Sequence, residues 1–401
     1  MRTMPSSAQS TKSFLCKVTT MKAAIVHNIP IHYKHLLFDA LRKQGLDFEV
    51  LFIASGSSIR HEKIPLSEDT YRYRIGFEGP YEEAPPGHSA RWVWSALQDI
   101  RPSVIVVSSY NAAECWSAWL WAFVHRVPIV MWYTGNEFDY PRQWPKELLK
   151  RIFLAGCAGA QVYGLSNKAY IVKLGLPSQD VIIKRAVVDI AKFATGSMQK
   201  RYRTGGLTRL IYVGRLSPEK NVSTLIGAFG QAARSESQLR LTITGIGPCE
   251  AALRAEVAEL GMEGLVNFTG YIGQKDLPAL YRQSDFFVLP SLREPWGLVS
   301  LEAMLCRLPV LISTQCGCAA DVVTPATGWS FSPWNQSELC TLIQALPSLR
   351  TEQIERMGEA AHDLACDYSP DNCAFAILES LGRLKGRSSR IGSNSQIEFA
   401  G

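Results

Sequence analysis

The sequence lacks any run of apolar residues long enough to cross a membrane. A membrane-spanning helix needs about 20 consecutive apolar residues, and the densest stretch here, Cys115–Val124, is followed directly by His125 and Arg126. That stretch instead predicts a helix packed on a sheet. Residues 1–20 also lack the sustained apolar segment of a secretory signal, so we expect a disordered extension, or a misassigned start with Met21 as the true first residue.

A framework of regularly spaced cysteines is also missing. The ten cysteines are scattered, and although Cys316 and Cys318 form a C-x-C pair, no second pair of Cys or His stands at a spacing typical of zinc ligands. This usage predicts reduced thiols in a cytoplasmic protein, several of them in the core.

Dense positive charge is absent as well. The net charge of +6 is spread over 401 residues, without zinc-finger spacing, an RNA-recognition motif or a stripe of Lys and Arg. These absences argue against a nucleic-acid partner. A mild basic excess fits a phosphate-bearing ligand or the surface of an anionic membrane.

What the sequence does have is a regular alternation of short apolar strands and helices, in two series. Strands are predicted at Lys22–His27, Phe48–Ile53, Val104–Val107, Pro128–Tyr133, Ala160–Gly164 and Val181–Ile183, then at Arg209–Val213, Leu239–Thr244, Val266–Thr269, Phe286–Leu289 and Val310–Ile312. Helices are predicted near His35–Gln44, Arg91–Asp99, Pro145–Leu154, Val222–Ala233, Glu250–Leu260, Leu277–Gln283, Leu298–Leu305 and Ser337–Leu346. Short buried strands between helices are typical of parallel sheets covered on both faces. The fold class is therefore α/β, with two doubly wound domains and a cleft between the carboxyl ends of their sheets.

Composition divides the chain into segments. Residues 21–195 are predicted to form a first domain, residues 196–207 a linker rich in Gly, Lys and Arg, and residues 208–370 a second domain. We expect residues 371–385 to form a helix that packs back on the first domain, and the Ser/Gly-rich residues 386–401 to be a disordered tail.

The first group of residues with chemical meaning follows strand Arg209–Val213. Gly214 lets the backbone turn, and Arg215 and Lys220 stand on the loop that enters the next helix. Two cations beside a helix N-terminus favour a diphosphate, because charge-assisted hydrogen bonds and the helix dipole act together. The alternative is a solvated loop with two surface cations.

A second loop, Thr244–Pro248, contains a G-x-G sequence after strand Leu239–Thr244. The glycines permit close approach of a ligand, but Glu250 stands where the third glycine of a dinucleotide fingerprint is needed. The sequence therefore argues against a nicotinamide cofactor.

The third group follows strand Phe286–Leu289. Glu294 is on the loop and Glu302 is inside the next helix, with Gly297, Leu298 and Val299 at the start of that helix, where backbone N–H groups are unpaired. Two carboxylates and a row of donors suit the hydroxyls and phosphates of an activated sugar. Glu302 alone has an alternative role as an exposed helix residue. A fourth loop, residues 315–321, is expected to border the same cleft or to be an ordinary turn.

Taken together, these segments resemble one family. The order G-R-L-x-x-E-K, E-P-W-G-L-x-x-x-E-A-M, L-P-V, G-x-x-x-D-V-V and T-G is similar to that of the group 1 glycosyltransferases, in particular the retaining glycosyltransferases of family 4, which have the GT-B fold. The resemblance is strong from about Arg209 to Glu338 and looser from Lys22 to Phe193. The opening Val26–Leu41 looks like that of bacterial members that build polysaccharides and glycolipids.

The resemblance implies specific roles. Arg215 and Lys220 would bind the diphosphate of a nucleotide-sugar donor, Glu302 the ribose, and Glu294 with the Gly297–Leu298 backbone the transferred sugar. It also implies retention of anomeric configuration, a glycan, lipid-linked or small-molecule acceptor, no cofactor and no metal. In agreement, there is no D-x-D motif; the nearest approach, Asp47–Glu49, is expected to begin a strand.

The chain departs from the family pattern in its first half. The loop Asn28–His32 has no Gly pair, and the strand that would precede a catalytic His leads instead into Trp132–Glu137. The resemblance gives Glu137 a polar role on the acceptor side. In the second half, Arg307 replaces a small residue.

Two alternative functions and one question about a helix stay open. The chain could be a GT-B sugar-nucleotide epimerase, or a non-catalytic partner protein that binds nucleotide sugars. The segment Arg142–Leu154 has basic and apolar residues at helical spacing. It is expected either to lie on the cytoplasmic face of an anionic membrane or to bury its apolar stripe in the core.

Overall fold

The computed structural model describes residues 21–58, 69–139, 142–194 and 202–384. The predicted extension 1–20, the predicted tail and the first half of the predicted linker lie outside these residues. The described residues form two α/β domains, each built on a sheet in which every pairing is parallel.

The first domain has the strand order β3-β2-β1-β4-β5-β6-β7. Its strands are β1 (Lys22–His27), β2 (Asp47–Phe52), β3 (Arg72–Ile75), β4 (Val104–Val107), β5 (Ile129–Tyr133), β6 (Gly159–Val162) and β7 (Val181–Ile183). Its helices are α1 (His32–Lys43), α2 (Pro86–Ile100), α3 (Ala113–His125), α4 (Trp144–Ala155) and α5 (Leu165–Lys173), followed by the short α6 (Ile190–Phe193).

The second domain has the order β10-β9-β8-β11-β12-β13. Its strands are β8 (Thr208–Val213), β9 (Leu239–Thr244), β10 (Val266–Gly270), β11 (Phe286–Leu289), β12 (Val310–Ser313) and β13 (Gly328–Phe331). Its helices are α7 (Val222–Ala233), α8 (Glu250–Glu259), α9 (Leu277–Arg282), α10 (Leu298–Leu305), α11 (Ala319–Val322), α12 (Gln336–Ala345) and α13 (Thr351–Cys366), before the final α14 (Pro370–Leu384).

The central strands form because their residues are apolar on both faces. All four residues of β4 and of β11 are buried, as helices cover both sides of each sheet. The predicted α/β class and the two doubly wound domains are confirmed. The predicted strands all exist, with bounds that agree to within two residues.

Six elements were not predicted: β3, β13, α5, α6, α11 and α13. Strand β3 is at an edge of its sheet and carries Arg72 and Arg74, which pair with Asp47 and Glu49 on β2. Its alternation of charged and half-buried residues is why it does not stand out as an apolar run.

The last helix, α14, belongs to the core of the first domain although it follows the second in sequence. Its residues Cys373, Ile377 and Leu381 are buried in the same cluster as Phe38 of α1 and Trp132 of β5. The chain therefore returns from the second domain to the first between α13 and α14, which ties the two domains together.

The strand order fixes where a ligand is expected. In each sheet the order reverses beside the first strand, between β1 and β4 and again between β8 and β11. Ligands of open α/β sheets bind outside the carboxyl ends of the strands at such a switch point. The loops after β1, β4, β8 and β11 all meet at the cleft between the domains.

Candidate active site

The cleft between the two domains holds a cavity of about 890 Å³. On the second-domain side it is bordered by Gly214, Arg215, Lys220 and Glu294 and by residues 297–299. The predicted donor residues are therefore brought together, with the exception of Glu302, which lies behind this wall. A cavity of this size fits a small-molecule ligand.

Lys220 and Glu294 form an ion pair at the centre of the second-domain wall. Both side chains are largely buried, and Nζ of Lys220 donates to Oε2 of Glu294. Asn221 fixes this arrangement, since its Nδ2 donates to the carbonyl of Pro290 at 3.2 Å and to that of Pro333 at 3.1 Å. Asn221 adopts a left-handed backbone conformation at φ 57°, which Asn tolerates better than most residues.

Arg215 is placed differently from Lys220. Its side chain is 68% exposed and lies 3.3 Å from Glu219, one turn along the chain. An exposed pairing of this kind is weak, so the guanidinium is available to a ligand that enters the cleft.

The G-x-G loop after β9 supports the Arg215 loop. A Cβ on Gly245 would lie 1.8 Å from the carbonyl oxygen of Gly214, and one on Gly247 would lie 2.3 Å from that of Leu216. The sequence interpretation of these glycines needs correction, because the close approach that they permit is to the neighbouring backbone.

The fourth loop likewise lies behind the site. Its residue Gly317 donates from its backbone N–H to the carbonyl of Glu294 at 2.9 Å, and a Cβ there would meet the carbonyl of Pro295. Cys316 and Cys318 are buried. This loop holds the Glu294 loop in place instead of contacting the cavity.

Glu302 is buried in the first turns of α10. Its Oε1 accepts a hydrogen bond from Tyr33 of the first domain, and its Oε2 accepts one from Tyr281 at 3.4 Å. Burial raises the pKa of Glu302, while the two phenol hydroxyls and Lys192 oppose that rise. The alternative of an exposed helix residue is therefore excluded.

Tyr33 is part of a polar network that joins the domains. Gln274 of the second domain lies 3.4 Å from the hydroxyl of Tyr33 and accepts a hydrogen bond from Lys192 at 3.1 Å. Lys192 and His32 both contact Asp189, and the His32 Nε2 is 2.8 Å from its Oδ2. No motif in the sequence points to Tyr33, Gln274 or Lys192, because they meet only when the domains face each other.

Glu137 lies beside the cleft, on the loop after β5. Its carboxylate pairs with Arg142 and Lys173, each at 2.6 Å, and it is not among the residues that border the cavity. The neighbouring Asn136 contacts the second-domain wall directly, since its Nδ2 donates to the carbonyl of Glu294 at 3.1 Å. An acceptor role for Glu137 stays a prediction.

The first-domain side of the cavity includes residues that sequence reasoning missed. Lys34, Trp132, Tyr163 and Lys184 all border it. The one signal in the sequence is that Lys184 follows directly on the short apolar strand β7. Among the described residues, no group of three or more His, Cys, Asp or Glu is placed to hold a metal ion.

Comparison with known proteins gives a family match over the second domain. Residues 197–363 match the family described as glycosyl transferases group 1. Alpha-D-kanosaminyltransferase of Streptomyces kanamyceticus is 30% identical over 281 residues, which are 65% of this chain and 71% of that protein. Glycogen synthase of Mycobacterium tuberculosis is 29% identical over 200 residues, 50% of this chain, and the chain spans about half the length of that relative, at 48%.

Solved structures extend the comparison to the whole fold. HepE of Anabaena in complex with UDP has a TM-score of 0.71 at 18% identity, covering 91% of this chain and all of that one (100%). The same protein is also known with UDP-glucose, at a TM-score of 0.67 and 19% identity over 90% of this chain. The likeness establishes the fold, which is GT-B as expected.

Proposed function

The chain belongs to the glycosyl transferases of group 1, and on that premise we propose that it transfers a sugar from a nucleoside-diphosphate sugar to an acceptor with retention of anomeric configuration. The observation that carries the proposal is the Lys220–Glu294 pair, which stands in the cleft beside the N-terminus of α10. A cation for phosphate, a carboxylate for sugar hydroxyls and unpaired backbone donors are thus within one small region.

The donor is proposed to lie along the second-domain wall. Its diphosphate would be bound by Arg215 and Lys220, and its ribose hydroxyls by Glu302. The sugar would be held by Glu294 and by the backbone of residues 297–299. The occurrence of UDP and UDP-glucose in a protein of the same fold supports a nucleotide sugar as donor.

The chemistry follows from where charge develops. Cleavage of the bond between the anomeric carbon and the phosphate oxygen leaves negative charge on the diphosphate, which fixed cations at Arg215 and Lys220 stabilise. The acceptor hydroxyl would attack from the face that the phosphate leaves, and its proton would pass to the departing phosphate oxygen. Retention then results without a covalent intermediate.

The acceptor is proposed to occupy the first-domain side of the cleft, bordered by the loops after β1, β4 and β5. It would be a glycan, a lipid-linked sugar or a small molecule.

Contact with an anionic membrane is a further part of the proposal. Helix α4 buries Phe153 and Leu154 but leaves Trp144 78% exposed, and Leu148, Leu149 and Ile152 are also exposed. On the adjacent α3 the exposed apolar residues are Leu120, Phe123 and Val124. An apolar face of this kind beside Lys146 and Arg151 suits a helix lying in a bilayer interface. Within the described residues, no helix has the length and apolar character to cross a bilayer.

The proposal is tested by titrating the protein with a panel of nucleoside diphosphates in a calorimeter and then assaying hydrolysis of the matching nucleotide sugars without acceptor. One nucleotide should bind, and its sugar ester should be slowly cleaved to the sugar of unchanged anomeric configuration. Failure of every nucleotide to bind would contradict the proposal, and a product of inverted anomeric configuration would exclude retention.

A further inference from the structure

Two lysines of the first domain are buried in the wall of the cleft and have no place in the chemistry described so far. Lys34 is in the first turn of α1 and is 7% exposed, and Lys184 follows β7 and is 1% exposed. Both border the cavity. Lysine is almost never buried to this extent unless it is paired.

The two ammonium groups lie against the same two aromatic rings. Nζ of Lys34 is 4.2 Å from the ring centre of Trp132 and 5.7 Å from that of Tyr163, and Nζ of Lys184 is 4.9 Å and 4.4 Å from the same centres. The ring of Trp132 is fixed, because its Nε1 donates to Oε1 of Gln161 at 2.5 Å. The two ammonium groups therefore share contacts with the same two rings.

No anion of the described chain balances these charges. Nζ of Lys184 is buried without a hydrogen-bond partner, and within residues 21–58, 69–139, 142–194 and 202–384 no carboxylate forms an ion pair with Lys34 or Lys184. The nearby Cys373 is a buried thiol whose pKa is raised by burial, so it carries no charge at neutral pH.

The two buried ammonium groups therefore favour the binding of an anion beside them. Burial lowers the pKa of both lysines, and for Lys34 the repulsion by Lys184 adds to the effect. Cation–π contacts offset only part of the cost of removing an ammonium from water. A ligand that brought an anion between the two groups would restore full charge to both.

We propose that Lys34 and Lys184 form a subsite for a phosphate group carried by the acceptor. The inference rests on the proposed function, which assigns this side of the cleft to the acceptor. Two adjacent ammonium groups match the double charge of a phosphate and bind it as point charges, whereas planar recognition of a carboxylate is the property of arginine. The donor diphosphate has its own cations on the opposite domain.

The subsite restricts the acceptor to phosphorylated compounds. A sugar phosphate and a lipid-linked sugar phosphate present the same group. Trp132 and Tyr163 offer flat apolar surfaces beside the phosphate, against which a sugar ring can pack.

The test uses inorganic phosphate as the probe and the full chain saturated with the nucleoside diphosphate that binds best. Calorimetry should detect phosphate binding to this loaded protein. Lys34→Met and Lys184→Met should each weaken that binding about 10- to 100-fold, because each removes one charge-assisted contact. Lys43→Met, on the exposed end of the same helix as Lys34, is the matched control and should leave phosphate affinity unchanged.

Nucleotide affinity separates the two proposals. It should be the same in all three variants and in the unsubstituted chain. If no nucleotide binds, the proposed function fails. If nucleotide binds but phosphate does not, or if phosphate binds the loaded protein equally well in both Met variants, only the phosphate subsite is overturned. Competition between phosphate and nucleotide for one site would overturn it as well.

Folding of the variants is checked by thermal unfolding without ligand. Loss of a buried unpaired charge should not lower the unfolding temperature, and Lys34→Gln and Lys184→Gln repeat the measurement with polar side chains. Glucose 6-phosphate and farnesyl phosphate, titrated separately, then identify the source of the phosphate. Tighter binding of either one than of inorganic phosphate supports the subsite, and weaker binding of both contradicts an acceptor role.

Discussion

The hydroxyl of Tyr33 in the first domain donates a hydrogen bond to the carboxylate of Glu302 in the second. This contact occupies one oxygen of the carboxylate that is proposed to bind the ribose of the donor. A nucleotide must therefore displace Tyr33 before Glu302 can accept its hydroxyls.

Tyr33→Phe removes this competitor. We expect nucleoside diphosphate affinity to rise about 2- to 10-fold, the equivalent of one hydrogen bond. The free energy of unfolding without ligand should fall by about 1–3 kcal/mol, because a buried carboxylate loses a partner. Calorimetry and denaturant titration measure the two effects. Tyr281→Phe is the control within the second domain, and weaker nucleotide binding by Tyr33→Phe would show that the phenol contacts the nucleotide instead.

Arg215→Ala and Lys220→Ala separate donor binding from stability. Each should weaken nucleoside diphosphate binding about 10- to 100-fold, since each removes a charge-assisted contact. Only Lys220→Ala should also destabilise the protein, because it leaves Glu294 buried without its partner. Arg254→Ala, an exposed arginine of the same domain that pairs with Glu250, is the control. Unchanged nucleotide affinity in both variants, measured by calorimetry, would remove the assignment of the diphosphate site.

Glu302→Ala and Glu294→Gln address the two carboxylates. Glu302→Ala should weaken nucleoside diphosphate binding, because the ribose loses its acceptor. Glu294→Gln should mainly lower turnover of the nucleotide sugar, since its proposed partner is the sugar. The comparison of calorimetric affinity with the rate of donor cleavage decides between the roles. Equal losses of nucleoside diphosphate affinity in both variants would contradict these separate roles.

Most of the fold could be predicted from the sequence, because the central strands are recognisable as short apolar runs. Strands β4 and β11 each consist of four consecutive apolar residues, and burial on both faces of a parallel sheet requires that pattern. Strand β3 could not be predicted from the sequence, because it is not an apolar run. It contains Arg72 and Arg74, which form ion pairs with carboxylates of β2 at the edge of the sheet. Its partners are known only once the sheet is formed.

The same limit applies to the site. Gly214, Lys220 and Glu294 follow buried strands of one sheet, so their convergence can be predicted from the switch point. The contact of Tyr33 with Glu302 joins residues 269 positions apart in different domains. Lys184 follows an apolar strand and precedes Arg185, a pattern that is equally typical of a surface loop. Only the packing of α14 and Trp132 around it shows that it is buried.

Asp139 makes stability depend on pH. Burial raises its pKa to about 6, with Glu294 adding to the effect, while the backbone N–H of Asn136 opposes it. A carboxyl whose folded pKa exceeds its unfolded value contributes stability that is complete at low pH and is lost as pH rises through the folded pKa. Asp139→Asn removes this loss, so the variant should gain up to about 3 kcal/mol over the unsubstituted protein at pH 8 and little at pH 4. Denaturant titrations at both pH values measure the difference, with the exposed Asp363→Asn as control, and a gain of equal size at both would rule out titration of Asp139.

The exposed apolar face of α3 and α4 predicts binding to anionic vesicles. The unsubstituted protein should sediment with vesicles that contain anionic lipid, and less with neutral ones, because Lys146 and Arg151 flank the apolar residues. The double substitution of Leu148 and Ile152 by Glu should reduce this binding more than about tenfold, since two apolar side chains no longer enter the interface and two negative charges face the lipid. Leu260→Glu changes a comparably exposed leucine of the second domain, 41% exposed, and should leave vesicle binding intact. Equal vesicle binding by the double variant would mean that this face does not contact the membrane. Donor cleavage depends on the second-domain wall of the cleft and should be unaffected in every variant.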